Sequence, residues 1–132
     1  MQNLIKHSGD VTIFNLIGNF DGGKDCQNTN QLFNDMITKG RRKFVINCAL
    51  VRWINSNGIG CIIAAKKTVD KVGGKLVLCN LEKRDLSTIY KMRLEEVFEI
   101  KGNLHEALDS LKDLRAQAAA DGEVAVNRPE PG

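Results

Sequence analysis

Long apolar runs are missing from this chain of 132 residues. None approaches the roughly 18 residues that a membrane-spanning helix needs, so no membrane association is expected. Aromatic residues make up only 5% of the chain, too few to build base-stacking platforms. Charge of one sign is also lacking: 19 Lys+Arg face 16 Asp+Glu, a net +3. That excess is too small to argue for a nucleic-acid partner. There is no CxxC pair, and the two histidines, His7 and His105, lie far from any cysteine pair. A zinc site or other metal centre is therefore not expected. The four cysteines, at 26, 48, 61 and 79, are spaced by 22, 13 and 18 residues, which suggests no disulfide framework. Cys48, Cys61 and Cys79 sit inside apolar runs, where a reduced thiol packs as a small hydrophobe. Such usage fits a reducing compartment, and a cytoplasmic address is expected. No secretory leader is expected, because Met1-Gln2-Asn3 runs straight into a strand-like segment.

What is present is the composition of one folded domain, 42% apolar and 27% charged. Asn3–Lys6 and Val11–Ile17 are rich in β-formers and flank a turn at His7-Ser8-Gly9-Asp10. Gly18 to Gly23 is expected to be a loop. Leu32, Phe33, Met36 and Ile37 keep helical spacing in a helix starting at Asp25 or Thr29 and ending at Thr38. Phe44–Cys48 and Lys75–Cys79 are short apolar runs, as in strands buried on both faces. Asn57–Val72 carries one apolar stripe of Ile62, Ala65, Val69 and Val72. A short helix over Arg84–Met92, a brief strand at Val97–Ile100 and an amphipathic helix from Leu104 to Leu114, capped by Asn103, complete the order. The order β-β-α-β-α-β-α-β-α implies an α/β fold. Its sheet should be mixed but mostly parallel, with an opening antiparallel hairpin and about four α-helices. Residues 1–115 are expected to form the domain and 116–132, which hold both prolines, a flexible tail.

The segment richest in chemical cues is Phe44-Val45-Ile46-Asn47-Cys48-Ala49-Leu50-Val51-Arg52-Trp53-Ile54-Asn55-Ser56-Asn57-Gly58-Ile59-Gly60. A buried strand runs into a loop, and a Ser-Asn-Gly-Ile-Gly turn opens a helix. Ser56 is placed as the N-cap, its Oγ accepting from the amide of Gly58 or Ile59. Gly58 and Gly60 lack a Cβ, so another surface can approach the first turn closely. The free amides and the positive end of the helix dipole favour an anion there. A phosphate on Ser56 would add about −1.5 to −2 charges. Physics alone leaves open a plain helix cap and a modifiable switch.

This strand-loop-helix passage resembles the signature of STAS domains, as found in bacterial anti-sigma-factor antagonists. Asn47-Cys48-Ala49 aligns with the family's Asp-Leu-Ser, and Ile54-Asn55-Ser56-Asn57-Gly58-Ile59-Gly60 aligns without a gap with its second element. Gly18-Asn19-Phe20-Asp21 stands where the family often has Gly-x-Leu-Asp. The resemblance covers roughly residues 1 to 114 and implies a STAS fold. It places the family's phosphorylated serine on Ser56 and a partner-binding surface on Asp21, Asn55, Ser56, Asn57, Gly58, Ile59 and Gly60. It also implies a partner switch. The unphosphorylated protein binds an anti-sigma factor that is a serine kinase, phosphorylation of Ser56 releases it, and a phosphatase resets it. The chain would be a kinase substrate rather than an enzyme, and no cofactor is implied.

Asn47 and Asn55 depart from the family's aspartates, keeping an acceptor but losing the charge. They favour a rival reading, a STAS scaffold or accessory subunit of a signalling or transport assembly that works without phosphorylation. A third reading is an anion- or nucleotide-binding domain. It draws on Arg41, Arg42, Lys43, Arg52, Lys66, Lys67, Lys71 and Lys75, set against Asp70 alone and expected near the site. Trp53 is expected to pack under the loop, and His7 and His105 to lie at the surface. Gly22-Gly23-Lys24 lacks the spacing of a phosphate loop. No nucleophile-base-orienter set is visible.

Overall fold

The computed structural model describes residues 2–111. A five-stranded sheet in the order β1-β2-β3-β4-β5 is formed by β1 (Gln2–Ser8), β2 (Val11–Phe20), β3 (Lys43–Ile54), β4 (Lys75–Cys79) and β5 (Glu99–Lys101). β1 and β2 pair antiparallel across a turn at Gly9, whose φ of 60° suits a residue without a Cβ. All later pairs are parallel, because each intervening helix returns the chain to the same end of the sheet. The element order and mixed sheet agree with the sequence reading. The expected tail at 116–132 and the end of the last helix lie outside the described residues.

Helices α1 (Lys24–Thr38), α2 (Ser56–Lys71) and α3 (Lys83–Lys91) cover one face of the sheet. Their apolar stripes pack on Phe14, Leu16, Phe44, Ile46 and Leu78. Phe14 and Phe33 stack with centroids 4.1 Å apart, and Phe44 tilts against Phe33 at 5.2 Å. Helix α4, residues 104–111, covers the opposite face. There Ala107 and Leu111 meet Val11, Ile13, Val45, Val77 and Cys79. Its stripe therefore serves the core. Asn103 caps it as expected, its Oδ1 accepting from the Glu106 amide at 2.9 Å.

Two strands run further than expected. Gly18–Phe20 belongs to β2, and the stretch from Ala49 to Ile54 belongs to β3, where the sequence suggested loops. The register explains why alternation fails there. β2 steps from Asn15 to Ile17 while β3 steps from Asn47 to Leu50, and Gly18 to Asn19 meets Val51 to Trp53. Each shift inserts one extra β3 residue, a bulge that breaks the two-residue period. β5 begins two residues later than expected, at Glu99.

Candidate functional site

β2 and β3 end side by side, Phe20 opposite Ile54. The Asn55 amide donates to the Phe20 carbonyl at 3.2 Å, and α2 starts at the next residue. Asn55 has extended backbone (φ −101°, ψ −177°), and its Oδ1 accepts from the Gly58 amide at 2.9 Å. Asn55 is thus the N-cap. The expectation that Ser56 fills that role is corrected: Asn serves as well as Ser at this position, and Asn55 comes one residue earlier with the required geometry. Ser56 becomes the first helical residue and is exposed. Its hydroxyl stands free of the cap bond, at the positive end of a 16-residue helix.

The other expected site residues separate by burial. Asn57 and Gly60 are exposed beside Ser56, and Asp21 is exposed on the neighbouring turn. Ile59 is 1% exposed and packs in the core. Gly58 is buried, and a Cβ there would stand 2.3 Å from the Phe20 carbonyl oxygen. The close approach at Gly58 is therefore made by the protein's own β2, whereas Gly60 has nothing within 4 Å of such a Cβ. A Cβ at Gly22 would lie 3.0 Å from the Asn57 Cβ. The Asp21–Gly23 turn and the first turn of α2 thus form one continuous shelf. Trp53 is half-buried, opposite Asn19.

The basic cluster is not at this shelf. Lys43 pairs with Lys75 where β3 and β4 begin, at the far end of the sheet from Ser56. Lys43 is bonded to Asp10 at 2.9 Å and Lys66 to Asp70 at 3.0 Å. Lys66 and Lys71 lie about 15 and 22 Å along α2 from Ser56, at about 1.5 Å per residue. Arg52 alone of the eight is near, its carbonyl accepting from Arg84 Nη2.

Three features escaped the sequence reading. Asp85, in the first turn of α3, is only 1% exposed. Burial pushes its carboxyl above the usual range, Glu82 adds to this, and Arg84 and the Ile54 amide bonded to it pull the other way. Asp85 thereby fastens α3 to the residue before the Asn55 cap. An acid in a first helical turn usually signals only dipole pairing, which hid its inward turn. Second, Asn47 Nδ2 donates to Asn15 Oδ1 at 2.8 Å, and Asn47 Oδ1 accepts from Asn80 Nδ2 at 2.9 Å. Third, Cys26 and Cys61 form a disulfide between α1 and α2, with Cα atoms 5.4 Å apart. This corrects the expectation of unpaired thiols: a sequence separation of 35 residues carries no pairing signal until the helices are placed. Cys48 and Cys79 remain buried free thiols. Among the described residues no group of His, Cys, Asp and Glu could hold a metal ion.

Comparison with known proteins gives this arrangement its class. The family model for the STAS domain matches residues 3–107, and the chain belongs to the STAS domain family. BtrV of Bordetella bronchiseptica, a candidate anti-sigma factor antagonist, is 30% identical over 116 residues, covering 86% of this chain and 90% of its own. A solved structure of a candidate anti-sigma factor antagonist from Thermotoga maritima superposes with a TM-score of 0.76 at 19% identity, over 83% of this chain and 94% of that one. The anti-sigma factor antagonist SpoIIAA in its unphosphorylated form gives 0.68 at 14% identity, over 86% and 100%. The phosphorylated form, from Bacillus, gives 0.65 at 15%, over 83% and 98%. The fold is that of anti-sigma factor antagonists. Among the described residues no helix is long and apolar enough to cross a membrane.

Proposed function

We propose that this protein is a cytoplasmic partner-switching regulator, an antagonist of an anti-sigma factor that is also a serine kinase. The shelf of Asp21, Asn55, Ser56, Asn57 and Gly60 docks on that partner, with Gly58 and Ile59 shaping the turn from beneath. The kinase transfers phosphate from ATP to Ser56, and the modified protein lets go. A phosphatase restores the hydroxyl. The catalysis belongs to the partners.

One observation carries the reading: Ser56 is exposed at the first position of α2, and its neighbour Asn55 supplies the cap. A hydroxyl that caps a helix would have to leave its amide to react. Here it is already free. The product also suits the site, since a phosphate at a helix N-terminus is stabilised by the dipole and the open amides. The fold therefore tolerates the charge, while a partner surface fitted to a small neutral hydroxyl does not. BtrV and SpoIIAA support the class of partner, and the phosphorylated structure of SpoIIAA supports the modification. Incubation with the serine kinase captured by the protein and ATP, followed by intact mass, tests it. One phosphate should appear on the wild type and none on Ser56→Ala. Absence of uptake with a kinase that binds the protein would remove the switch.

The second reading, a scaffold that is not phosphorylated, draws on Asn47 and Asn55. Both amides are occupied structurally, Asn47 between Asn15 and Asn80 and Asn55 on Gly58. An ionised aspartate at 47 could not donate to Asn15.

A further inference from the structure

The Cys26–Cys61 bond joins the first turn of α1 to the second turn of α2. Those are the two helices whose N-termini carry the shelf. Cys26 follows the Asp21–Gly23 turn by three residues, and Cys61 follows Gly60 directly. The shelf is also held by Asn55 N on the Phe20 carbonyl, by Asn57 against Gly22, by the Gly58 and Ile59 amides on Asn55, and from beneath by Ile59 in the core. We propose that Cys26 and Cys61 are a reversible thiol–disulfide couple, opened by dithiols, that holds the shelf around Ser56 rigid when closed and loosens it when open.

The four cysteines differ in the way such a couple requires. Cys48 and Cys79 are buried free thiols lying at most 2% exposed. Burial pushes both thiols up, Cys79 to about 11, so neither supplies a thiolate for exchange. Cys26 is half-buried and Cys61 is 5% exposed, so Cys26 is the more exposed partner and the one taken here as the point of attack. The chemistry is ordinary exchange. A thiolate of the dithiol forms a bond to Cys26 Sγ, the Cys26–Cys61 bond breaks, and its electron pair leaves on Cys61 Sγ, which takes a proton. The reductant's second thiolate then attacks its own sulfur in the mixed disulfide, and Cys26 leaves as a thiolate and is protonated. Two thiols are gained by the protein, and the dithiol is oxidised to a disulfide. In a reducing compartment disulfides are characteristically transient and signalling rather than structural. A preorganised surface binds more tightly than one that must be ordered on contact, so the closed form is the better partner-binding form. That consequence and the reducing compartment rest on the proposed function; the bond between the two helices does not.

The test uses the whole chain and dithiothreitol as the dithiol. Protein handled in air is alkylated under native conditions with and without prior reduction, and the labels are mapped by mass. Cys26 and Cys61 should take label only after reduction, and Cys48 and Cys79 in neither case. Labelling of Cys26 and Cys61 without reduction would overturn the couple. Hydrogen exchange at the Gly58 and Ile59 amides is then compared in the two forms. Reduction should speed it at least tenfold, and by more than it speeds exchange at Phe44–Ile46 in β3. No change, or a change no greater than in β3, would show that the bond acts only on the unfolded chain and would overturn the switch. A Cys26→Ser/Cys61→Ser variant should exchange like the reduced protein whether or not dithiothreitol is present. None of these readouts needs Ser56 to be phosphorylated, so failure of the Ser56 reading is seen separately, as absent phosphate uptake.

Discussion

At the scale of single residues, Asn55 and Ser56 divide two tasks that one serine was expected to perform. Asn55 holds the helix start, and Ser56 faces outward. Asn55→Ala should therefore cost about 1 kcal/mol, the usual loss of an N-cap side chain. Ser56→Ala should change stability by less than about 0.5 kcal/mol, as at an ordinary surface position. Urea denaturation of the two variants checks the division, and the reverse ranking would restore Ser56 as the cap. The glycines divide similarly. Gly58→Ala puts a methyl against the Phe20 carbonyl and should destabilise by about 1–3 kcal/mol, as overpacking does. Gly60→Ala meets open space and should add about 0.5–1 kcal/mol of helix stability. If partner docking needs a bare first turn, Gly60→Ala weakens binding in a protein more stable than the wild type.

At the scale of elements, the end of β3 is held by α3 through Asp85. Its folded carboxyl is raised above the unfolded value of about 3.9. The contribution of this group is therefore fully present below about pH 3.9 and is lost as the pH rises through the folded value. Asp85→Asn keeps an acceptor for the Ile54 amide and removes the ionisation. Its stability relative to wild type should rise with pH from about pH 4 and level off above the folded value. Urea midpoints across that range test the sign, and a difference that shrinks with rising pH would show that the ionised form is the favoured one. The elements themselves were mostly legible, because each helix keeps a 3.6-residue stripe and β4 is an unbroken apolar run. The second half of β3 was not. Its bulges spoil alternation, so Ala49–Ile54 reads as loop although it pairs with β2 as far as Ile54. The cap was misplaced by one residue because Asn and Ser are near-equal caps and only backbone geometry separates them.

At the scale of the whole molecule, nearness in sequence misled where the chain crosses the sheet. β3 is 12 residues long, so Arg41 and Arg42 precede it and Lys43 begins it at one end of the molecule, and Ser56 follows it at the other. Charge counted along the chain then describes two separate surfaces. The disulfide was invisible for the opposite reason: 35 residues separate two cysteines that the helix packing brings together. The Ser-Asn-Gly-Ile-Gly motif remained legible because strand, cap and helix follow one another without a break. Charge reversal at Lys71, about 22 Å from Ser56 along the helix, lies beyond a screening length of about 8 Å. It should change affinity for a partner docked on the shelf by less than about twofold. Titration calorimetry with the proposed anti-sigma factor partner reads this, and a larger loss would move the docking surface down α2.

The most direct measurement is the affinity of the proposed partner, an anti-sigma factor that is a serine kinase, for the wild type and for Ser56→Asp, with both proteins checked for equal urea midpoints. A negative charge at the first position of α2 should leave the fold intact and weaken binding by about tenfold or more, 1.4 kcal/mol at the least. Equal affinity in two equally stable proteins would contradict the claim that charge on Ser56 releases the partner.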